Sequence, residues 1–343
     1  MNPTDIDRND RLKVARWLLV CCALVFAMVV LGGVTRLTGS GLSMTDWRPV
    51  TGWLPPLTAE AWDEEFSRYR ESPEYLKENS HMDVHDFKGI FWLEYLHRLL
   101  GRIIGLAFLL PLLWFAWRGY IAKRELPKYG LMFVLGGLQG VLGWYMVKSG
   151  LVDRPDVSQY RLTAHLVAAF SLYSFMLWGA LSIIWPAGGR VVHPRFRITA
   201  WLTALIGLTI VSGGFVAGLK AGKVFNNFPK MGEYWLPPGG LALDPWWRNF
   251  FENVATVQFD HRVLALTTFA LIVAYWWSMR RVELPRRLGI GVNALLHTAA
   301  LQVVLGIVTL LTFVPIALGA LHQATAMLLF TVAIFLCHGL RRT

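Results

Sequence analysis

The sequence predicts an all-α polytopic membrane protein, with eight transmembrane helices in two four-helix halves. Three observations predict it. Of 343 residues, 55% are hydrophobic and 16% charged, too apolar for a soluble domain of this length. Several uncharged runs approach or exceed the ~20 residues needed to cross a bilayer core. Motifs of the first half also recur in the second, the mark of an internal repeat. The net charge of +11 does not point to nucleic acid, because Lys and Arg cluster in short connectors between apolar runs. Cys21, Cys22 and Cys337 lie in apolar runs, form no CxxC and imply no disulfide framework.

Residues 1–16 mix Asp5, Asp7 and Asp10 with Arg8, Arg11, Lys13 and Arg16. That matches neither a transit peptide nor a signal peptide, so the segment reads as a cytoplasmic tail before a retained span, Trp17–Thr35. A slightly acidic polar loop, 36–89, leads to a second span at about Ile90–Trp117. Further spans read at Tyr129–Val147, Leu162–Ile184, Ile198–Leu219 and about Val257–Met279. Leu288–Leu340 is 53 residues without a charge, too long for one helix, and Phe313-Val314-Pro315 divides it into a hairpin. The tail, the connectors 118–128, 187–197 and 280–287, and Arg341-Arg342 fall on one side and hold seventeen of the 33 Lys and Arg. Loops 36–89 and 220–256 fall on the other. Both termini are therefore expected in the cytoplasm.

The repeat pairs Gly32-Gly33 with Gly213-Gly214, Leu54-Pro55-Pro56 with Leu236-Pro237-Pro238, and His97-Arg98 with His261-Arg262. It also pairs the Leu138–Gly143 and Leu301–Gly306 stretches, and His165 with His322. Four spans per half give both halves the same topology, as in parallel repeats related by an axis along the membrane normal. The expected domains are residues 1–186 and 196–343, two pseudo-twofold-related four-helix bundles.

His97, His165, His261 and His322 all lie near the outer start of their spans, at similar depth by a rise of ~1.5 Å per residue. Each half thus offers two imidazoles on two helices, and bundle cores hold cofactors between facing helices. A haem needs two axial ligands and a flat apolar slot. Gly101 and Gly105 near His97, Ala168 and Ala169 near His165, Ala265 after His261, and Gly319 and Ala326 beside His322 suit such a slot. A lone histidine in an apolar helix is more often a packing residue; four in repeat register argue for ligation. His297 and His338 read as structural, His193 as solvated, and His81 and His85 have no assigned role. Zinc would need three or four ligands converging on one point, which these pairs do not offer. The series Gly136, Gly137, Gly140, Gly143 reads as close helix packing.

Glu94-Tyr95-Leu96-His97-Arg98 is echoed by Gln258-Phe259-Asp260-His261-Arg262. Arg98 and Arg262 either snorkel to lipid phosphates or pair with haem propionates. Arg36 is a further candidate propionate contact, with Arg102, Arg161, Lys220 and Lys223 behind it. Glu94 stands three residues before His97 on one helix face, where the second half has neutral Gln258. Ionisable groups at membrane depth mark functional sites. A carboxylate beside a haem can take up a proton or stabilise a developing cation. The second half, without one, reads as a plain bis-histidine cytochrome site.

Over about residues 15–340 the chain resembles the haem A synthase family, enzymes that convert haem O to haem A. The resemblance rests on Gly32-Gly33-Val34-Thr35-Arg36-Leu37-Thr38-Gly39-Ser40-Gly41-Leu42-Ser43, on Glu94–Arg98 and on the other three histidines. It implies two successive hydroxylations of a porphyrin methyl group, giving a geminal diol that dehydrates to a formyl group. It implies a haem b cofactor on His261 and His322, substrate iron on His97 and His165, and Glu94 as the catalytic carboxylate. A bacterial inner-membrane protein is expected, with the haem sites toward the outer face. Expected partners are haem O, a haem O synthase, an electron acceptor and the bilayer; a homo-oligomer stays open. Some members carry a cysteine pair in the first outer loop. No cysteine lies between Arg36 and Gly89 here, so the acceptor is unidentified. The alternative is a di-haem b-type electron-transfer cytochrome, with both haems permanent and Glu94 dispensable. A proton-coupled transporter built on the same repeat would be colourless.

Overall fold

A computed structural model describes residues 6–47, 51–150, 156–186 and 192–341. Among these residues the regular structure is helical, apart from an isolated bridge between Met231 and Tyr234. The helices are α1 (Arg8–Leu37), α2 (Ala59–Arg70), α3 (Val84–Trp117), α4 (Leu126–Gly150), α5 (Gln159–Ile184), α6 (Phe196–Gly218), α7 (Asn249–Glu252), α8 (Val254–Met279), α9 (Arg286–Leu311) and α10 (Ile316–Leu340). Eight helical segments are long and apolar enough to cross a membrane; α2 and α7 are not among them. The protein is a multi-pass membrane protein. The expected hairpin break falls between α9 and α10, where Phe313 and Val314 adopt φ of 62° and 59° and Pro315 opens α10. The basic residues Arg190 and Arg342 lie outside the described residues.

Two boundaries differ from the sequence expectation. α1 begins at Arg8, inside the segment read as a tail, because Asp7 accepts the Asn9 N–H and Asp10 pairs with Lys13. At ~1.5 Å per residue α1 is about 45 Å long, so its polar first turns project beyond a core of about 30 Å. α3 begins at Val84 rather than Ile90. Asp83 caps it by accepting the N–H groups of His85 and Asp86, and Phe87 packs against Trp62 and Tyr69 of the α2 segment. The connector 36–89 is therefore folded, not a plain polar loop.

The chain forms two compact units, Met1–Met176 and Leu177–Thr343, divided within α5. In unit 1, α1 packs along α3, α3 against α4, and α2 against the first turns of α3. Pro111, inside α3, has no N–H to give the Ala107 carbonyl four residues back. The Trp17 indole of α1 donates to that carbonyl instead, at 2.9 Å, as a proline inside a membrane span requires. In unit 2, α6 packs on α8 and α10, and α9 on α8 and α10. These four helices close around Ile206, Ile272, Leu288, Leu295 and Leu336.

Candidate functional site

In unit 1 His97 lies on α3 and His165 on α5; in unit 2 His261 lies on α8 and His322 on α10. Each ring lies against a glycine of another helix. A Cβ added to Gly32 of α1 would stand 2.9 Å from Cε1 of His97 on α3, and one on Gly143 of α4 3.5 Å from Cε1 of His165 on α5. In unit 2 the same construction gives 3.1 Å from Gly213 to His261 and 2.9 Å from Gly306 to His322. At Gly32, Gly213 and Gly306 the ring comes closer than a Cβ would allow without a shift, so glycine is favoured there, whereas the contact at Gly143 is ordinary. The repeated glycines are seats for the repeated imidazoles. His97 and His165 are near enough to interact electrostatically, as are His261 and His322.

The environments of the rings differ. His97, His165 and His322 leave Nδ1 buried with no hydrogen-bond partner among the described residues. His261 Nδ1 lies 2.8 Å from the Ser212 hydroxyl, which itself lies 2.7 Å from the Thr209 carbonyl. A hydroxyl has one proton; with that proton on Thr209 O, Ser212 accepts from Nδ1–H, and Nε2 keeps the lone pair that ligates a metal. The Gln302 amide nitrogen stands 3.3 Å from His322 Nε2.

Glu94, one turn before His97, is 3% exposed. Its Oε2 accepts from the Ser43 hydroxyl at 2.7 Å and the Met44 N–H at 2.8 Å. Its Oε1 accepts from Arg98 Nε at 3.1 Å and Nη2 at 2.5 Å. Two donors on each oxygen fill the carboxylate. Arg98 also donates to the carbonyls of Met44 and Asp46, so it ties the first long connector to α3. Arg262 repeats that tie, donating to the carbonyls of Phe225 and Lys230. Gln258, 2% exposed, gives its amide to Phe225 O at 3.1 Å, the reverse of the polarity at Glu94.

The chain matches the family described as cytochrome oxidase assembly protein, COX15-CtaA, over residues 15–334. It is 50% identical to a protein named heme A synthase from Nitrosospira multiformis, across 96% of this chain and 94% of that one. It is 46% identical to heme A synthase COX15 of Arabidopsis thaliana, across 96% and 75%, and 45% identical to heme A synthase COX15 of Bos taurus, across 96% and 82%. This chain belongs to the COX15-CtaA family. In a COX15-CtaA protein a haem is the group to test against these residues, and they fit it. Three imidazoles keep unpartnered buried nitrogens, and a Cβ on Gly105, one helical face with His97, would meet nothing within 4 Å. Zinc does not fit. Among the described residues the metal-capable trio that converges is Asp83, His85 and Asp86, all exposed, and Asp83 is occupied as the cap of α3.

Arg36 ends α1 half-buried, with Asp156 acting on it electrostatically. Arg98 spends its donors on Glu94 and two carbonyls, whereas Arg262 keeps a buried Nε without a partner among the described residues. His338 is buried against Trp178 and Ser182; His297, His81 and His85 are exposed. His193, expected to be solvated, is half-buried and accepts the Arg195 N–H. Of the glycine series in α4, Gly136 meets Leu172 at 3.8 Å and Gly143 seats His165, while Gly137 and Gly140 face open space. The sequence reading missed Ser43, Ser212 and Gln302. Ser43 ends a motif already visible as a motif, but nothing in its spacing pointed to Glu94.

Proposed function

We infer that the chain is a haem A synthase, a membrane oxidoreductase that converts a methyl group of haem O to the formyl group of haem A. The observation that carries this is one difference between two otherwise alike sites: both units seat a histidine pair on glycines, and one of them adds a buried carboxylate. His97 and His165 hold the substrate iron. Each of two hydroxylations adds one oxygen from water to the methyl carbon and withdraws two electrons, and the resulting diol loses water. Glu94 is anchored by four hydrogen bonds, which suits a fixed negative charge set against positive charge developing at that carbon. Haem b, held by His261 and His322, would supply one-electron relay chemistry. Ser212 fixes the His261 tautomer for that role, and Arg262 Nε is free to meet a propionate.

The setting follows from the charge bias of the short connectors. We place the protein in a bacterial cytoplasmic membrane with both termini inside and the histidines toward the outer face. A haem O synthase supplies the substrate, and an electron acceptor takes what the methyl group loses. The test is to express the protein with haem O and to analyse extracted haems by chromatography and mass. Hydroxylated and formyl haem in wild type, and neither in Glu94→Ala, are expected. Two permanent unmodified haems that do not depend on Glu94 would instead mark an electron-transfer cytochrome.

A further inference from the structure

The two units share a turn directly after their first spans. In unit 1, Gly39 at φ 69° opens a 3-10 turn, Ser40–Leu42, that ends on Ser43. In unit 2, Lys220 at φ 53° opens the turn Ala221–Lys223, which ends on Val224. The next residue in each offers its carbonyl to the repeated arginine: Met44 O to Arg98 at 2.9 Å and Phe225 O to Arg262 at 2.8 Å. Ser43 and Val224 are therefore equivalent positions, just as Glu94 and Gln258 are. In unit 1 the two unlike residues touch, Ser43 Oγ to Glu94 Oε2 at 2.7 Å. Ser43 is 2% exposed; Val224, with no donor to offer, is 56% exposed.

We propose that Ser43 is a positioning residue for Glu94, so that the working half of the protein is defined by a contacting Ser–Glu pair rather than by the carboxylate alone. The proposal rests on the haem A synthase assignment. Of the donors on Glu94, Met44 contributes backbone, and Arg98 has a counterpart in Arg262. Ser43 is the side-chain donor with no counterpart. Its single proton has three acceptors in reach: Glu94 Oε2, the Ser40 carbonyl at 3.1 Å and the Ile90 carbonyl at 3.4 Å. The carboxylate is nearest, and a hydrogen bond to a charged acceptor is the strongest of the three. Without the hydroxyl, Oε2 retains the Met44 N–H alone, and the carboxylate plane is free to turn about a line set by Arg98. Small losses of alignment at a reacting centre cost rate rather than affinity.

The test uses Ser43→Ala in the full-length protein in membranes, supplied with haem O. Expected are a fall of about tenfold or more in turnover, an unchanged half-saturating haem O concentration and an unchanged haem b absorption band. Hydrogen exchange across Ser43–Trp47 is expected to quicken in Ser43→Ala and again in Glu94→Ala. Wild-type turnover in Ser43→Ala overturns the proposal. So does a loss that tracks haem b content or half-saturation, or exchange that neither variant changes. If wild type makes no hydroxylated or formyl haem, the assignment of the reaction fails. The exchange measurement still decides whether Ser43 holds Glu94.

Discussion

Unit 2 surrounds its histidines with a closed ring of four helices, and the connector before α8 leaves Trp235, Trp246 and Trp247 exposed. Unit 1 treats its connector differently. Residues 36–83 fold α2 onto α3, bury Trp62 and Tyr69 with Phe87 and Phe91, and anchor Tyr95 through its hydroxyl to Trp53 O at 2.6 Å. The same arginine tie is present in both units, yet in unit 1 the arginine also pairs with a carboxylate, whereas in unit 2 arginine and carboxamide both donate to the Phe225 carbonyl. What the units share, glycine seats and an arginine-pinned turn, is what holding a flat iron-bearing ligand requires. What they do not share is gathered at two touching positions, Ser43 with Glu94 against Val224 with Gln258.

The largest effect should come from removing that difference. Glu94→Gln copies unit 2 into unit 1 with little change of volume, and haem O conversion should fall by roughly 10² to 10⁴-fold, the range for removing one group that acts in the transition state. The haem b band should persist, because His261 and His322 are untouched. The reciprocal Gln258→Glu should leave conversion in place. Product analysis beside a difference spectrum checks both. Conversion near wild type in Glu94→Gln would show that the two sites do not differ where their sequences say they do.

Next in size is the arginine tie. Arg98→Gln strips two hydrogen bonds from a carboxylate that stays buried, and leaving a buried charge without its partner costs about 3–5 kcal/mol. Arg262→Gln removes donors from backbone carbonyls alone, so the loss should be smaller, about 1–3 kcal/mol. Thermal unfolding of the two variants in one detergent measures the gap. Equal losses would mean that Glu94 contributes nothing to the tie.

Much of the fold could be read from the chain because membrane spans and breaks are local signals. Uncharged length marks the eight helices, and Pro315 with its two strained neighbours marks the hairpin. The four histidines and the Glu94/Gln258 contrast were legible through the repeat, which lines up positions without needing their neighbours. Contacts across the chain were not. Ser43 and Glu94 are 51 residues apart, with no periodicity linking them, and nothing in the spacing of Arg98 distinguishes a pairing with Glu94 from one with lipid phosphate or propionate. The α2 helix was missed because its buried face is short and aromatic in a segment that is otherwise acidic. The glycines were seen, but a seat is a relation between two helices, and a sequence shows one at a time.

The seats give the finest comparison, because the four are graded. A methyl group on Gly306 would stand 2.9 Å from His322, whereas one on Gly143 would stand 3.5 Å from His165, ordinary contact. Alanine also favours a helix over glycine by about 1 kcal/mol. The two terms compete, and distance decides the sign. At Gly143 the helical gain should dominate, so Gly143→Ala should be neutral or slightly stabilising and should leave conversion intact. At Gly306 overpacking costs roughly 1–3 kcal/mol, and the ring cannot yield without turning Nε2. Gly306→Ala should therefore weaken retention of haem b, read as a smaller reduced-minus-oxidised band per protein, and Gly213→Ala, at 3.1 Å, should fall between them. If Gly213→Ala and Gly306→Ala both keep full haem b, the glycines are packing residues and the resemblance between the two sites ends at the histidines.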